Sequence, residues 1–155
     1  MAYYQVLDIN DLPNEEWKVL NYNGIEYPNY LVSNLGRIKS LYKNIIRKQN
    51  IGTCKYLQIN LNKDIKILVH RAVACTFLPF IENKNDVNHI DEDRLNNTVD
   101  NLEWCNKKYN NNYGSHNVNM SLSRKQYFID NPNAGKEHSI RLKELFKNKK
   151  LQNTL

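Results

Sequence analysis

His89 is followed twelve positions later by Asn101 and nine positions after that by Asn110, and Asn88 stands immediately before the histidine. One imidazole among carboxamides can act as a base beside oxygen donors for a hard cation, the parts from which a one-metal hydrolysis of DNA phosphodiesters can be built. Phosphodiester hydrolysis needs few parts. A base must activate water, a metal must stabilise charge on the scissile phosphate and the leaving oxygen, and a scaffold must hold them in line. The wider run Val87-Asn-His-Ile-Asp91, Asn96-Asn97, Asp100-Asn-Leu-Glu-Trp104 is far more specific than a lone His–Asn pair. The chain is nevertheless asparagine-rich, and Asn96, Asn97, Asn111 and Asn112 are read as loop and helix surface.

The elements that must position this site are small ones. At 155 residues and 41% hydrophobic, the chain can bury one modest core or two small cores sharing an interface. Apolar runs such as Ile65-Lys-Ile-Leu-Val69 are too short to span a membrane, and the N-terminus lacks the basic and apolar pattern of a signal peptide. A soluble, intracellular protein is expected. Cys54, Cys75 and Cys105 form no Cys-x-x-Cys, so they are read as reduced structural thiols, with no disulfide framework and no structural zinc.

Charge is distributed unevenly. Residues 37–71 carry nine basic side chains against one acid, a balance of +8, and residues 114–155 carry eight against three, a balance of +5. The segments 1–36 and 72–113 are net negative, so the basic regions flank an acidic centre. Cations that hold phosphates and release counterions on either side of an acidic, metal-holding centre suit a protein that binds a polyanion. The candidate DNA contacts are Arg37, Lys39, Arg47, Lys48, Lys55, Lys63, Arg71, Lys107, Lys108, Arg141 and Lys143.

The first module extends to about residue 80. Trp17–Leu20, Tyr30–Ser33 and Arg37–Leu41 read as short antiparallel strands, separated by turn chemistry at Asn23-Gly24, Tyr27-Pro28 and Asn34-Leu-Gly36. Tyr56–Leu61 alternates, with Leu57, Ile59 and Leu61 on one face and Tyr56, Gln58 and Asn60 on the other. It pairs through Asn62-Lys-Asp64 with Ile65–Leu68 as a hairpin of the size that enters a major groove, where Gln58 and Asn60 could read bases. A solvated polar face is the competing reading. Val69, Ala72, Val73 and Phe77 predict a short helix linking to the next module, and His70 on it is read as structural.

Residues 16–41, from Glu16-Trp-Lys-Val-Leu20 through Tyr30-Leu-Val-Ser-Asn-Leu-Gly36 to Ser40-Leu41, resemble the NUMOD4 motif that precedes the nuclease domain of phage and intron-encoded HNH homing endonucleases. In that motif Gly36 fits a turn needing positive φ, and Tyr30, Val32 and Ile38 fit a small core. Residues 87–113 resemble the HNH domain itself, a ββα-metal fold of two strands and a helix. Val87–Ile90 and Asn101–Trp104 would be the strands, and Asn106 would cap the helix bearing Asn110. The resemblance implies that His89 is the general base, that Asn101 orients it by tying down the loop, and that Asn88 and Asn110 are ligands of one divalent cation, Mg2+ or Mn2+. Three positions depart from the family pattern: Asn88 replaces an acidic ligand, Tyr113 stands where the last histidine falls, and Glu92-Asp93 replace Gly-Asn. Asp91 could approach the metal in place of Asn88, although its position argues for fixing the loop.

The fold expected is α+β: an N-terminal antiparallel β module with its linking helix over residues 1–80, a ββα-metal nuclease core over 81–114, and basic C-terminal helices over 115–155. In the last segment, 115–120 is expected to be extended, 121–129 a short helix and 133–147 a further helix. The function expected is that of a monomeric, site-preferring endonuclease on double-stranded DNA that nicks one strand per binding event. A catalytically impaired DNA-binding protein, its metal lost through Asn88, is the alternative. An RNA-binding intron partner is a third.

Overall fold

The structure, a computed structural model, describes residues 2–133; Arg141, Lys143 and all but the first residue of the helix expected over 133–147 lie outside the described residues. The chain divides into two compact units, residues 1–110 and 111–155. No helix among the described residues is long and apolar enough to cross a membrane.

The first unit begins with a four-stranded antiparallel sheet in which β1 (Trp17–Tyr22), β2 (Ile25–Ser33), β3 (Ile38–Ser40) and β4 (Ile45–Ile46) lie in chain order. Asn23 and Gly24 turn β1 into β2 with φ of 54° and 83°. Two successive positive φ values are the backbone of a two-residue hairpin whose twist matches the strands it joins. Tyr27-Pro28, expected as a turn, lies inside β2. The register jumps there, from Leu20 opposite Tyr27 to Val19 opposite Leu31. Pro28 has no N–H to donate, and the bulge lets the strand carry it without leaving a ladder bond unmade.

A second antiparallel sheet follows, β5 (Asn50–Ile51), β6 (Leu57–Asn60) and β7 (Lys66–Leu68). The alternation in β6 is kept: Leu57, Ile59 and the following Leu61 are buried, while Tyr56, Gln58 and Asn60 are turned the other way and at least partly exposed. Helix α1 (Val69–Phe77) starts directly after β7 and buries Val69, Ala72, Val73 and Ala74. It packs on both sheets and on the hairpin formed by β8 (Asp86–His89) and β9 (Leu102–Cys105). One cluster therefore joins Leu20, Val32 and Ile38 to Ile59, Val73, Val87, Leu102 and Trp104. Each fully buried aliphatic side chain contributes about 1.5–3 kcal/mol. The segments 1–80 and 81–110 share that core and lie in one compact unit.

Helix α2 (Lys107–Asn112) leads out of the first unit, and α3 (His116–Asp130) belongs to the second. The helix expected from residue 121 begins five residues earlier, at His116. No Gly or Pro stands between Gly114, at φ 58°, and Pro132, so nothing interrupts the helix between these breakers.

Arg37 requires a correction. Expected among the phosphate-binding cations, it is fully buried under the first sheet, beside Glu15, with both side chains sealed from solvent. Nε and Nη2 donate to the two carboxylate oxygens of Glu15 at 2.8 and 2.7 Å, Nη1 donates to the carbonyls of Val6 and Asp8, and Nη2 also donates to that of Asn10. All five N–H groups are used, so none is left for a phosphate. The pair instead staples residues 6–15 to the sheet. Arg37→Met should destabilise the protein by about 3–5 kcal/mol, because Glu15 is left buried without its counter-ion. Urea unfolding would measure this, and Arg37→Met/Glu15→Leu should recover most of the loss.

Candidate active site

Strands β8 and β9 pair antiparallel, with Val87 opposite Trp104, Asn88 opposite Glu103 and His89 opposite Leu102. Val87, Leu102 and Trp104 anchor the hairpin in the core, which leaves Asn88 and His89 at its end, each about 5% exposed. The twelve-residue loop from 90 to 101 is closed by its own polar groups. Ile90 N donates to the Asn101 carbonyl at 2.9 Å, and Asp91 N donates to Asn101 Oδ1 at 3.0 Å. Asn101 Nδ2 returns bonds of 2.8 Å to Asp91 Oδ1 and to the Asn96 carbonyl. Asp91 Oδ1 also accepts from Asp93 N, and Asp91 Oδ2 from Asn96 Nδ2. Burial opposes ionisation of Asp91, but these hydrogen bonds from Asn96, Asn101 and Asp93 outweigh it and hold its carboxyl below the usual range. Asp91 is the hub of the loop.

The side chain hydrogen-bonded to the His89 ring is that of Asn97, a residue that its sequence context suggested would lie on the loop surface. It is buried, and its Oδ1 lies 2.9 Å from His89 Nε2. Asn97 Nδ2 donates to the Leu95 carbonyl, so the amide presents oxygen to the ring. A carbonyl oxygen can only accept, which places the imidazole proton on Nε2 and the lone pair on Nδ1. Burial lowers the His89 pKa most strongly; the Asn97 bond, Asp91 and Asp93 raise it, and Arg94 lowers it, with a net shift downward. The net shift favours the neutral ring. Asn101 acts one step away, on Asp91 and Asn96 rather than on the imidazole.

The first module supplies a wall for this ring. Tyr56 stacks on His89 at 5.9 Å between centroids, and His70 from α1 meets it edge-on at 5.3 Å. Arg94 from the loop lies over the other partner of the stack, 4.9 Å from Tyr56. His70 is buried with its Nδ1 unpartnered, and burial first, then the charges of His89 and Arg71, push its pKa down to about 3. Gly36 completes the support. Its φ is 81°, and a Cβ there would stand 2.9 Å from the Asn97 carbonyl oxygen and 3.0 Å from Asn97 Cβ. Alongside, Val99 N donates to the Asn34 carbonyl at 2.8 Å. The turn of the first sheet thus presses on the residue that holds the histidine. No spacing in the sequence links Gly36, Tyr56, His70 and Asn97 to His89; only the packing of the first module against the hairpin and its loop does.

Asn88 Nδ2 donates to Glu103 Oε1 at 2.8 Å, which leaves the Asn88 carbonyl oxygen as its available donor atom for a cation. Asn110 is half-buried on α2, and Asn106 caps that helix by accepting from Tyr109 N at 2.8 Å, as expected. Of the expected DNA contacts, Lys48, Lys55, Lys63, Lys107, Lys108 and Asn60 are exposed. Others are engaged within the protein. Lys39 Nζ lies over the Trp17 ring and 3.4 Å from Asp11, Arg47 donates to the Asn60 carbonyl, Arg71 donates to Asn23, and Gln58 lies against Gly52.

Comparison with known proteins matches residues 15–62 to the NUMOD4 motif and residues 68–112 to an HNH endonuclease family. An uncharacterized HNH endonuclease of Acanthamoeba polyphaga mimivirus is 34% identical over 131 residues, 80% of this chain and 32% of that protein. The H-N-H endonuclease F-TflII of Escherichia phage T5 is 34% identical over 82 residues, 50% of this chain and 42% of that one. A solved structure of the HNH homing endonuclease I-HmuI, described for DNA binding and cleavage, superposes with a TM-score of 0.53 at 32% identity, covering 71% of this chain and 59% of that one. The chain therefore spans less than half the length of the mimivirus and phage T5 endonucleases, and 59% of the I-HmuI chain.

Two outcomes test the site's construction. Gly36→Ala should cost about 1–2 kcal/mol from left-handed backbone alone and should also displace Asn97, moving the His89 ring resonances in an NMR titration; unchanged resonances would deny the contact. The second concerns pH. Unfolded, His70 binds a proton below about 6.5, whereas folded it stays neutral down to about 3. Stability should be flat above that range and fall as pH drops from 6.5, by about 1.4 kcal/mol per pH unit for each such proton. His70→Phe should make that slope shallower by about one proton in denaturation series at pH 4–7.

Proposed function

We propose, on the premise that this chain joins a NUMOD4 motif to an HNH endonuclease domain, that it hydrolyses a phosphodiester of double-stranded DNA with His89 as general base. The observation that carries the reading is the hydrogen bond of His89 Nε2 to Asn97 Oδ1, which in one step fixes the tautomer, the ring orientation and the basic nitrogen. Nδ1 then takes a proton from the attacking water. The lowered pKa of His89 favours the free base at neutral pH. Asn97 and Asn101 are positioning residues, the first on the ring and the second on the loop that carries Asn97.

Asn88 and Asn110 offer hard oxygen donors without thiolate or imidazole, a set that fits Mg2+ or Mn2+. When bound, that cation supplies charge stabilisation at the phosphate and the leaving oxygen. Tyr56 and His70 keep bulk water from one side of the imidazole. Lys48, Lys55 and Lys63 in the first module, and Lys107 and Lys108 on α2, are exposed cations for the DNA backbone, and Asn60 is the exposed amide available to a base edge. One histidine site cuts one bond per encounter, so a monomer nicks. The alternative, a DNA-binding protein without cleavage, is favoured by the neutral side chain at position 88.

Supercoiled plasmid carrying the DNA that flanks this gene separates the two. With Mg2+ or Mn2+ the protein should convert it to open circle, and His89→Ala should slow conversion by about 10²–10⁴-fold. Retarded mobility on the same DNA, with no open circle under either metal, would leave binding alone.

A further inference from the structure

Two neutral amides would leave a divalent cation at this site without protein charge, and Asp91, the acid nearest the histidine in sequence, is committed through both oxygens to holding the loop. Asp93 Oδ1 accepts from Leu95 N. Glu103 is different. It stands directly across the hairpin from Asn88, and directly opposed residues of an antiparallel pair share a face. Its Oε1 accepts from Asn88 Nδ2 at 2.8 Å. Glu103 is half-buried, yet it belongs to neither ion pair found among the described residues, Arg37–Glu15 and Lys39–Asp11. A partly desolvated carboxylate without a cation is costly unless something positive is placed beside it.

We propose that Glu103 supplies the anionic ligand of the metal site, so that Asn88 and Glu103 together do across two strands what a single acidic side chain at position 88 would do. The hydrogen bond has two effects. It holds the carboxylate against Asn88, and it turns the Asn88 amide so that its oxygen, not its nitrogen, is available to a cation. A hard divalent ion prefers such a charged oxygen to a neutral one, so the pair gives the site the charge that position 88 lacks. This rests on the reading of Asn88 as a metal ligand.

Mn2+ binding to this 155-residue chain without DNA, followed by the loss of the free-ion EPR signal, tests it directly. Glu103→Gln keeps an acceptor for Asn88 and should weaken Mn2+ binding at least tenfold with little change in melting temperature. Asp86→Asn removes the same charge two residues along β8 and should shift binding less than threefold. The swap Asn88→Asp/Glu103→Gln reverses the direction of the hydrogen bond and moves the charge across the hairpin; it should restore wild-type binding. Equal Mn2+ binding by wild type and Glu103→Gln, or a swap as weak as Glu103→Gln, would overturn the proposal. If His89-dependent nicking persists in that case, Glu103 fails alone; if the wild type neither binds Mn2+ nor nicks, the nuclease reading fails with it.

Discussion

The placement of Asn97 is the constraint on which the rest of the site depends. It is buried between a glycine whose missing side chain makes room for it and an imidazole that needs an acceptor at Nε2. A side chain at Gly36 would invade the loop, and loss of the acceptor would free both tautomers of His89. The network of Asp91, Asn96 and Asn101 is how a polar loop keeps Asn97 at that depth. Loops ordinarily run over the surface because their backbone polar groups need partners. Here the loop's own asparagine and aspartate side chains provide them.

That dependence makes the first module part of the architecture of the candidate site. Tyr56 and His70 pack against the imidazole, and α1 carries buried side chains that touch both sheets and the hairpin. A core of this size could not be divided in two without leaving each half short of apolar area. Packing the site against the sheet also lowers the pKa of His89, because the same desolvation that seals the ring disfavours its charged form.

Charge follows a similar division of labour. Arg37 shows that a basic residue in a basic stretch can serve the fold rather than a ligand: its guanidinium is exhausted by Glu15 and three backbone carbonyls. Lys39, Arg47 and Arg71 are likewise engaged by neighbours. The exposed lysines remain the part of the surface whose charge faces solvent, and composition could not have distinguished them from the buried cation.

Much of this was legible in the chain itself. The alternation in Leu57–Leu61, the Asn-Gly hairpin turn, the helical spacing after Val69, the cap at Asn106 and the positive φ at Gly36 are all local preferences, and local preferences are written in neighbouring residues. The His89, Asn101 and Asn110 order pointed to the HNH family whose model matches residues 68–112, since a hairpin and a following helix place those positions by short spacings. What the tertiary structure alone decided is which side chains act on one another across long separations: Asn97 against Gly36, Tyr56 and His70 against His89, Glu15 against Arg37. Glu103 belongs to the same class, brought to Asn88 by strand register. Those contacts depend on how sheets, helix and loop pack together, and burial turned an asparagine that looks like any other in this sequence into the one that holds the histidine.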